Sequence, residues 1–329
     1  MKIRPIYIRI FRVVLILSII AILWQYFRAT RFSEVLPAIR KVGAGFGYIL
    51  ASTFTAYWLG TLSWWHCLGT EKINISKSRL FTIRHICETV GLFNPASFAG
   101  ADMLKVVMLK SYDIRRETVQ TSVIINRILM IASQLFLVAI TATWLILNKD
   151  LGLGWQAKVG TIVFTFTILL LAAIFFKKLI NAPDPDVSHK PTLWGRLWGS
   201  LNKVRAELYV FSRQHIKSMI FAFSLACLHW IVGSFEFYIL LKLLGYDIFL
   251  MDALLVDMGV ILVKSAGAFI PGQLGVEEIG NRMMLGLIGI SSASLWLSVS
   301  VLRRSRQIFW ILAGGVFYLF FTRSNKVYA

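Results

Sequence analysis

Apolar runs of about 20 residues recur along this chain, at about 10–27, 44–68, 119–147, 158–176, 219–244 and 295–322, and they leave few folds open. Each is long enough to cross the hydrocarbon of a bilayer as an α-helix. Lipid offers backbone groups no hydrogen-bond partner, so every run must satisfy its own. Hydrophobic residues make up 57% of the chain. The one long polar connection, about 181–217, is too short for an independent soluble domain. The expectation is an all-α membrane protein, one polytopic domain over 1–329, with about six full spans. The first run has the basic flank of a signal peptide (Lys2, Arg4, Arg9, Arg12), but Trp24-Gln-Tyr-Phe27 follows where cleavage needs small residues, so it reads as an uncleaved span.

Two further apolar segments are interrupted. In Phe269-Ile-Pro-Gly-Gln-Leu-Gly-Val-Glu-Glu278 a proline removes a backbone donor, Gly272 and Gly275 let the chain reverse, and Glu277 and Glu278 follow at once. Sliding the sequence on itself by 176 positions puts Gly91 on Gly267, Phe93 on Phe269, Pro95 on Pro271, Asp102 on Glu278 and Arg127 on Arg303. Internal repeats mark transporter folds, with the substrate site where the halves meet. The spacing predicts two broken, re-entrant helical hairpins, at about 85–104 and 253–278, related as an inverted repeat. Repeat 1 covers about 44–147 and repeat 2 about 219–323.

The net charge of +19 would suggest nucleic acid in a soluble chain, but here Lys and Arg flank apolar spans, where they set orientation and meet anionic headgroups. Nucleic-acid binding is excluded on this ground. Residues 177–217 carry eight Lys or Arg against Asp184, Asp186 and Glu207, which assigns this loop, and with it both termini, to the cytoplasm. The short loop with Asp247 and Asp252 then lies outside, and Trp64 and Trp65 suit a headgroup layer. Within the basic loop Trp194, Leu197, Trp198, Leu201, Val204, Leu208 and Phe211 share one helical face. That is the pattern of a helix lying in the membrane interface, or of a cytoplasmic helix packed on its own protein.

Ionisable residues inside membrane segments are functional candidates by default. Under the repeat alignment Glu88 falls on Lys264, and a pseudo-twofold would bring the two together in a buried network. A second set comprises Asp102, Lys105, Arg127, Glu277, Glu278, Arg282 and Arg303, whose cations suit a lipid phosphate and whose carboxylates position them or titrate. The bland alternative is that these pairs only lock the broken helices. Arg303, Arg304 and Arg306 fall within the last span unless the chain breaks there into 283–302 and 307–322. Asn94, Pro95, Pro271, Gly272 and Gly275 form the breaks themselves. No catalytic group, metal site or cofactor is expected. His85, Cys87 and Glu88 lack a metal-ligand spacing, and neither HExxH, GxSxG nor a P-loop occurs. Cys67, Cys87 and Cys227 show no pairing pattern.

These residues also carry a resemblance. Trp64-Trp65, Asn94-Pro95 with Gly100-Ala-Asp102 and Lys105, Asn126-Arg127 and above all Pro271-Gly-x-x-Gly-Val-Glu277 resemble the lysylphosphatidylglycerol synthase transmembrane region family, flippase-like membrane proteins, over nearly the whole chain. Where the family has Pro, a Gly-Glu pair and Arg at the first break, this chain has Ala101-Asp102 and Lys105. The resemblance implies a prokaryotic inner-membrane protein that translocates or helps deliver lipids, such as aminoacylated phosphatidylglycerol, a hopanoid or a glycolipid. It also implies a chain without the aminoacyl-transferase domain of some relatives. The expected partners are membrane lipids, and a lipid synthase in a rival reading in which the chain is its noncatalytic membrane partner. A small-solute or ion transporter is the other rival. Oligomeric state is not written in the sequence.

Overall fold

The computed structural model describes residues 40–91, 97–148, 209–267 and 275–326, with scattered positions at 37, 154–174 and 206. Several expectations lie outside the described residues: the first span, part of the span at 158–176, Asn94, Pro95, Pro271, Gly272, and Trp194, Trp198 and Leu201 of the amphipathic stretch. What is described is helical apart from short connections, with no strand among the described residues. The principal helices are α1 (Phe46–Cys67), α2 (Lys77–Gly91), α3 (Ser97–Met108), α4 (Arg116–Asn148), α5 (Ile216–Leu243), α6 (Leu250–Ala266), α7 (Val276–Leu287) and α8 (Ala293–Lys326). Of these, α4 and α5 have both the length and the hydropathy to cross a bilayer unaided. Exposed Leu, Ile, Phe and Val side chains line α4, α5 and α8, as a lipid-facing surface requires.

The helix order repeats. A long helix, a pair of shorter helices separated by a break, and a second long helix occur as α1–α4 and again as α5–α8. The described helix ends lie on either side of both prolines, which are themselves outside the described residues. Helix α2 ends at Gly91 and α3 begins at Ser97; α6 ends at Ala266 and α7 begins at Val276. At RRSR, by contrast, α8 runs unbroken, so 283–302 and 307–322 are not separate segments.

The residues fall into two compact units, Met1–Thr53 with Phe81–Val107 and Ser234–Ala329, and Phe54–Leu80 with Met108–Gly233. The second is held by polar side chains that bond helix backbones, a device suited to lipid, where helices gain nothing from hydrophobic burial alone. Ser63 donates to the Ala222 carbonyl (2.8 Å), His229 to the Ala56 carbonyl (2.6 Å) and Trp230 to the Met130 carbonyl (3.1 Å). Trp64 is buried and donates to Ser122 Oγ (3.1 Å), so it is a core residue and not a headgroup anchor. Only Trp65 fits that expectation, with the ammonium groups of Lys72 and Lys77 4.7 and 4.9 Å from its ring.

In the first unit α6 and α7 form a helical hairpin. Their approach depends on glycine: a Cβ on Gly267 would lie 2.6 Å from Val276 Cγ1, and one on Gly259 2.1 Å from Met284 Cε. Gly275, at φ +83°, occupies the left-handed region at the start of α7, and its N–H donates to the Glu278 carboxylate (2.8 Å). At the start of α6 the Asp252 carboxylate likewise accepts the Phe249 N–H (3.0 Å) and is buried, so Asp252 is a helix cap and not an exposed loop charge. Helix α8 packs on the rest of the unit through Trp310, whose carbonyl accepts from His85 Nε2 (2.9 Å) and whose indole donates to Thr53 Oγ1 (2.9 Å).

Candidate functional site

Four carboxylates of the first unit converge on the arginines of α8. Glu236 comes from α5, Asp257 from α6, and Glu277 and Glu278 from the first turn of α7. Arg303 Nε lies 2.9 Å from Glu277 Oε1 and 3.8 Å from Glu236 Oε2, and its Nη1 lies 3.5 Å from Asp257 Oδ1. Arg306 Nε lies 2.7 Å from Glu236 Oε1, Lys264 Nζ lies 3.2 Å from Glu277 Oε2, and Arg304 pairs with Glu278. The Arg303 guanidinium also stacks over Phe237, 4.0 Å from the ring centroid. Four acids meet four bases, so the cluster is neutral as a whole.

Helical spacing explains the convergence. Asp257 and Lys264 are seven apart on α6 and share a face, while Arg303 and Arg306 are three apart on α8 and do the same. Glu236, Asp257, Glu277 and Arg303 are each no more than 6% exposed. At such depth an ion persists only when paired and hydrogen-bonded. The pairs are close but not all aligned: Glu277 Oε1, Glu236 Oε1 and Arg303 Nε lack a well-directed hydrogen bond. The Arg303 Nε–H can therefore donate to an incoming oxygen, and the two carboxylate oxygens can accept from a water. Asn281, fully buried on α7, donates to Ser300 Oγ (2.9 Å) and leaves its Oδ1 without a hydrogen bond in the same helix contact.

The sequence candidates divide accordingly. Lys264, Glu277, Glu278 and Arg303 are brought together, and Gly275 sets up the helix that carries the two glutamates. Glu88 does not meet Lys264. It pairs with Arg84 one turn earlier (2.6 Å), and Lys264 pairs with Glu277. Asp102 and Lys105 pair with each other (3.3 Å), and Lys105 lies within electrostatic range of Glu88, so the first broken segment holds a smaller neutral cluster. Arg282 is exposed on α7, outside the ion pairs of the cluster. Arg127 belongs to the second unit, half-buried on α4 beside Asn126, whose side chain accepts from Ser63.

Glu236, Asp257, Arg304 and Arg306 complete the cluster although the sequence reading did not select them. The signal for Glu236 was present: a single carboxylate within an otherwise apolar span is costly unless it serves a site. The second unit has a cavity of about 340 Å3, lined in part by Cys67, Glu71, Thr118, Phe211 and His215. There Glu71 bridges two segments by accepting from Arg115 Nε (2.6 Å), the Arg115 N–H (2.8 Å) and Thr118 Oγ1 (2.8 Å). Burial tends to raise the Glu71 pKa, but the hydrogen bonds from Arg115 and Thr118 outweigh it and hold the carboxyl below its ordinary value.

Comparison with known proteins places this geometry in context. The family model described as the lysylphosphatidylglycerol synthase TM region matches residues 9–315. No curated protein and no solved structure matches the chain.

Proposed function

We propose, from the premise that this chain belongs to the lysylphosphatidylglycerol synthase TM region family, that it moves a lipid headgroup between the leaflets of a prokaryotic inner membrane. The cargo is an anionic or modified phospholipid or a glycolipid. Its headgroup passes through a polar groove between two re-entrant hairpins related as an inverted repeat, while the acyl chains stay in the bilayer. The chain acts as a transporter and not as an enzyme, with both termini in the cytoplasm.

One observation carries the reading: a buried, charge-balanced cluster built on a broken helix, with Arg303 at its centre. Three carboxylates sharing one guanidinium make exchange possible, because a phosphate oxygen can replace one carboxylate while the others keep their remaining cations. Arginine suits this step, since its fork matches phosphate and its charge is permanent.

The test is reconstitution of purified protein in vesicles, followed by the leaflet exposure of labelled phosphatidylglycerol. Wild type is expected to equilibrate the label, and Glu277→Gln and Arg303→Ala to abolish this. Arg303→Lys, which keeps the charge and loses the fork, serves as the folding-competent companion and is expected to be slow. If the variants flip lipid normally, the site assignment is wrong. If wild type leaves the label where it was, the noncatalytic-partner reading replaces this one.

A further inference from the structure

The three carboxylates around Arg303 are not equally compensated. Glu236 has two cations, Arg306 at 2.7 Å and Arg303 at 3.8 Å. Glu277 also has two, Arg303 at 2.9 Å and Lys264 at 3.2 Å. Asp257 has one, Arg303, at 3.5 Å, the far limit of a hydrogen bond. Yet Asp257 is 5% exposed, as buried as the other two. The charged groups facing it are Arg303 and Arg306 from α8, Glu236 from α5 and Lys264 from its own helix, with Glu277 of α7 competing for Arg303.

We propose that Asp257 couples anion binding at Arg303 to the uptake of one proton, which makes the transporter of the preceding section a proton-linked one. When a phosphodiester oxygen takes Arg303, Glu236 retains Arg306 and Glu277 retains Lys264. Asp257 retains no ion-pair partner. A buried carboxylate in that state is costly, and the smallest change that removes the cost is protonation: the carboxylate gains one proton from water and becomes a carboxylic acid, with no other bond made or broken. The anion adds one negative charge and the proton one positive charge, so the cluster stays neutral. Each ligand then tightens the other by the same factor, and a proton gradient can bias the direction in which the headgroup moves. The argument rests on the proposed headgroup site, and the ligand chemistry it names is a phosphate diester, whether presented by a lipid or by a free headgroup.

The full chain in phosphatidylcholine nanodiscs can be titrated calorimetrically with dihexanoylphosphatidylglycerol and, in a separate arm, with glycerophosphoglycerol. Neither ligand titrates near neutral pH, so protons counted in buffers of different ionisation enthalpy belong to the protein. Wild type is expected to take up about one proton per anion, with affinity falling about tenfold per pH unit toward alkaline pH. Asp257→Asn is expected to bind without proton uptake and with affinity independent of pH. Binding of both ligands locates recognition in the headgroup alone; binding of the dihexanoyl lipid only means that the acyl chains are required, and the proton count tests coupling in either case. Arg303-dependent binding without proton uptake in wild type, or a proton still taken up by Asp257→Asn, overturns the coupling and leaves the site intact. Binding that is absent, or unchanged in Arg303→Lys, overturns the site and the coupling together.

Discussion

Replacing Arg303 with methionine removes a guanidinium from three buried carboxylates while keeping much of the side-chain volume. At an effective dielectric of about 20, the contact with Glu277 is worth about 6 kcal/mol, that with Asp257 about 5 and that with Glu236 about 4, before desolvation is subtracted. Desolvation of the ions and repulsion among the acids cancel most of this. The expected net cost is that of breaking a buried pair on one side, about 3–5 kcal/mol. Glu277→Gln in the same background removes one of the orphaned charges, so the double variant is expected to be more stable than the sum of the single effects by about 1–3 kcal/mol. Unfolding in mixed micelles, followed by circular dichroism, measures both quantities. Leu312→Ala, on the same helix with its side chain 53% exposed, is the control and is expected to shift stability little. The reasoning fails if Arg303→Met costs under about 1 kcal/mol, or if the double variant equals the sum of its parts.

Two further outcomes follow from other parts of the molecule. Gly275→Ala forces a Cβ into left-handed backbone at the start of α7 and should cost about 1–2 kcal/mol in the same unfolding assay; an unchanged midpoint would mean that the turn relaxes freely. Glu71 is held below its ordinary value of 4.5, so its stabilising contribution is complete above that value and disappears as pH falls through the depressed one. Glu71→Gln should therefore be less stable than wild type at neutral pH and converge with it in acid, and parallel curves across the acid range would contradict the assignment.

The helices, and the helix ends that flank both prolines, were legible because their signals are local: proline and glycine punctuate backbone, and apolar length reports on lipid. The meeting of Glu277 with Arg303 was legible as a class, since acids and bases buried in membrane segments must find partners. The Glu88–Lys264 approach was not, because sequence symmetry carries no distance, and the local Arg84–Glu88 spacing of one helical turn already offered a cheaper partner. Glu236 was hidden by averaging: one carboxylate hardly lowers the hydropathy of α5, although it fixes where Arg306 must point. Trp64 was misread because tryptophan serves both an interface and a core, and only the position of Ser122 decides between them.

The order in which these charges are made has its own consequence. A ribosome releases Glu236, Asp257, Glu277 and Glu278 before Arg303, Arg304 or Arg306 exists, with Lys264 the one cation of the cluster already made. Until that last helix arrives, the nascent acids must stay hydrated at the insertion machinery or carry protons, and α8 itself cannot enter lipid alone. Insertion of the final helix and neutralisation of its predecessors are thus one event, and a chain stalled before residue 303 would be recognisable to quality control by its unsheltered carboxylates.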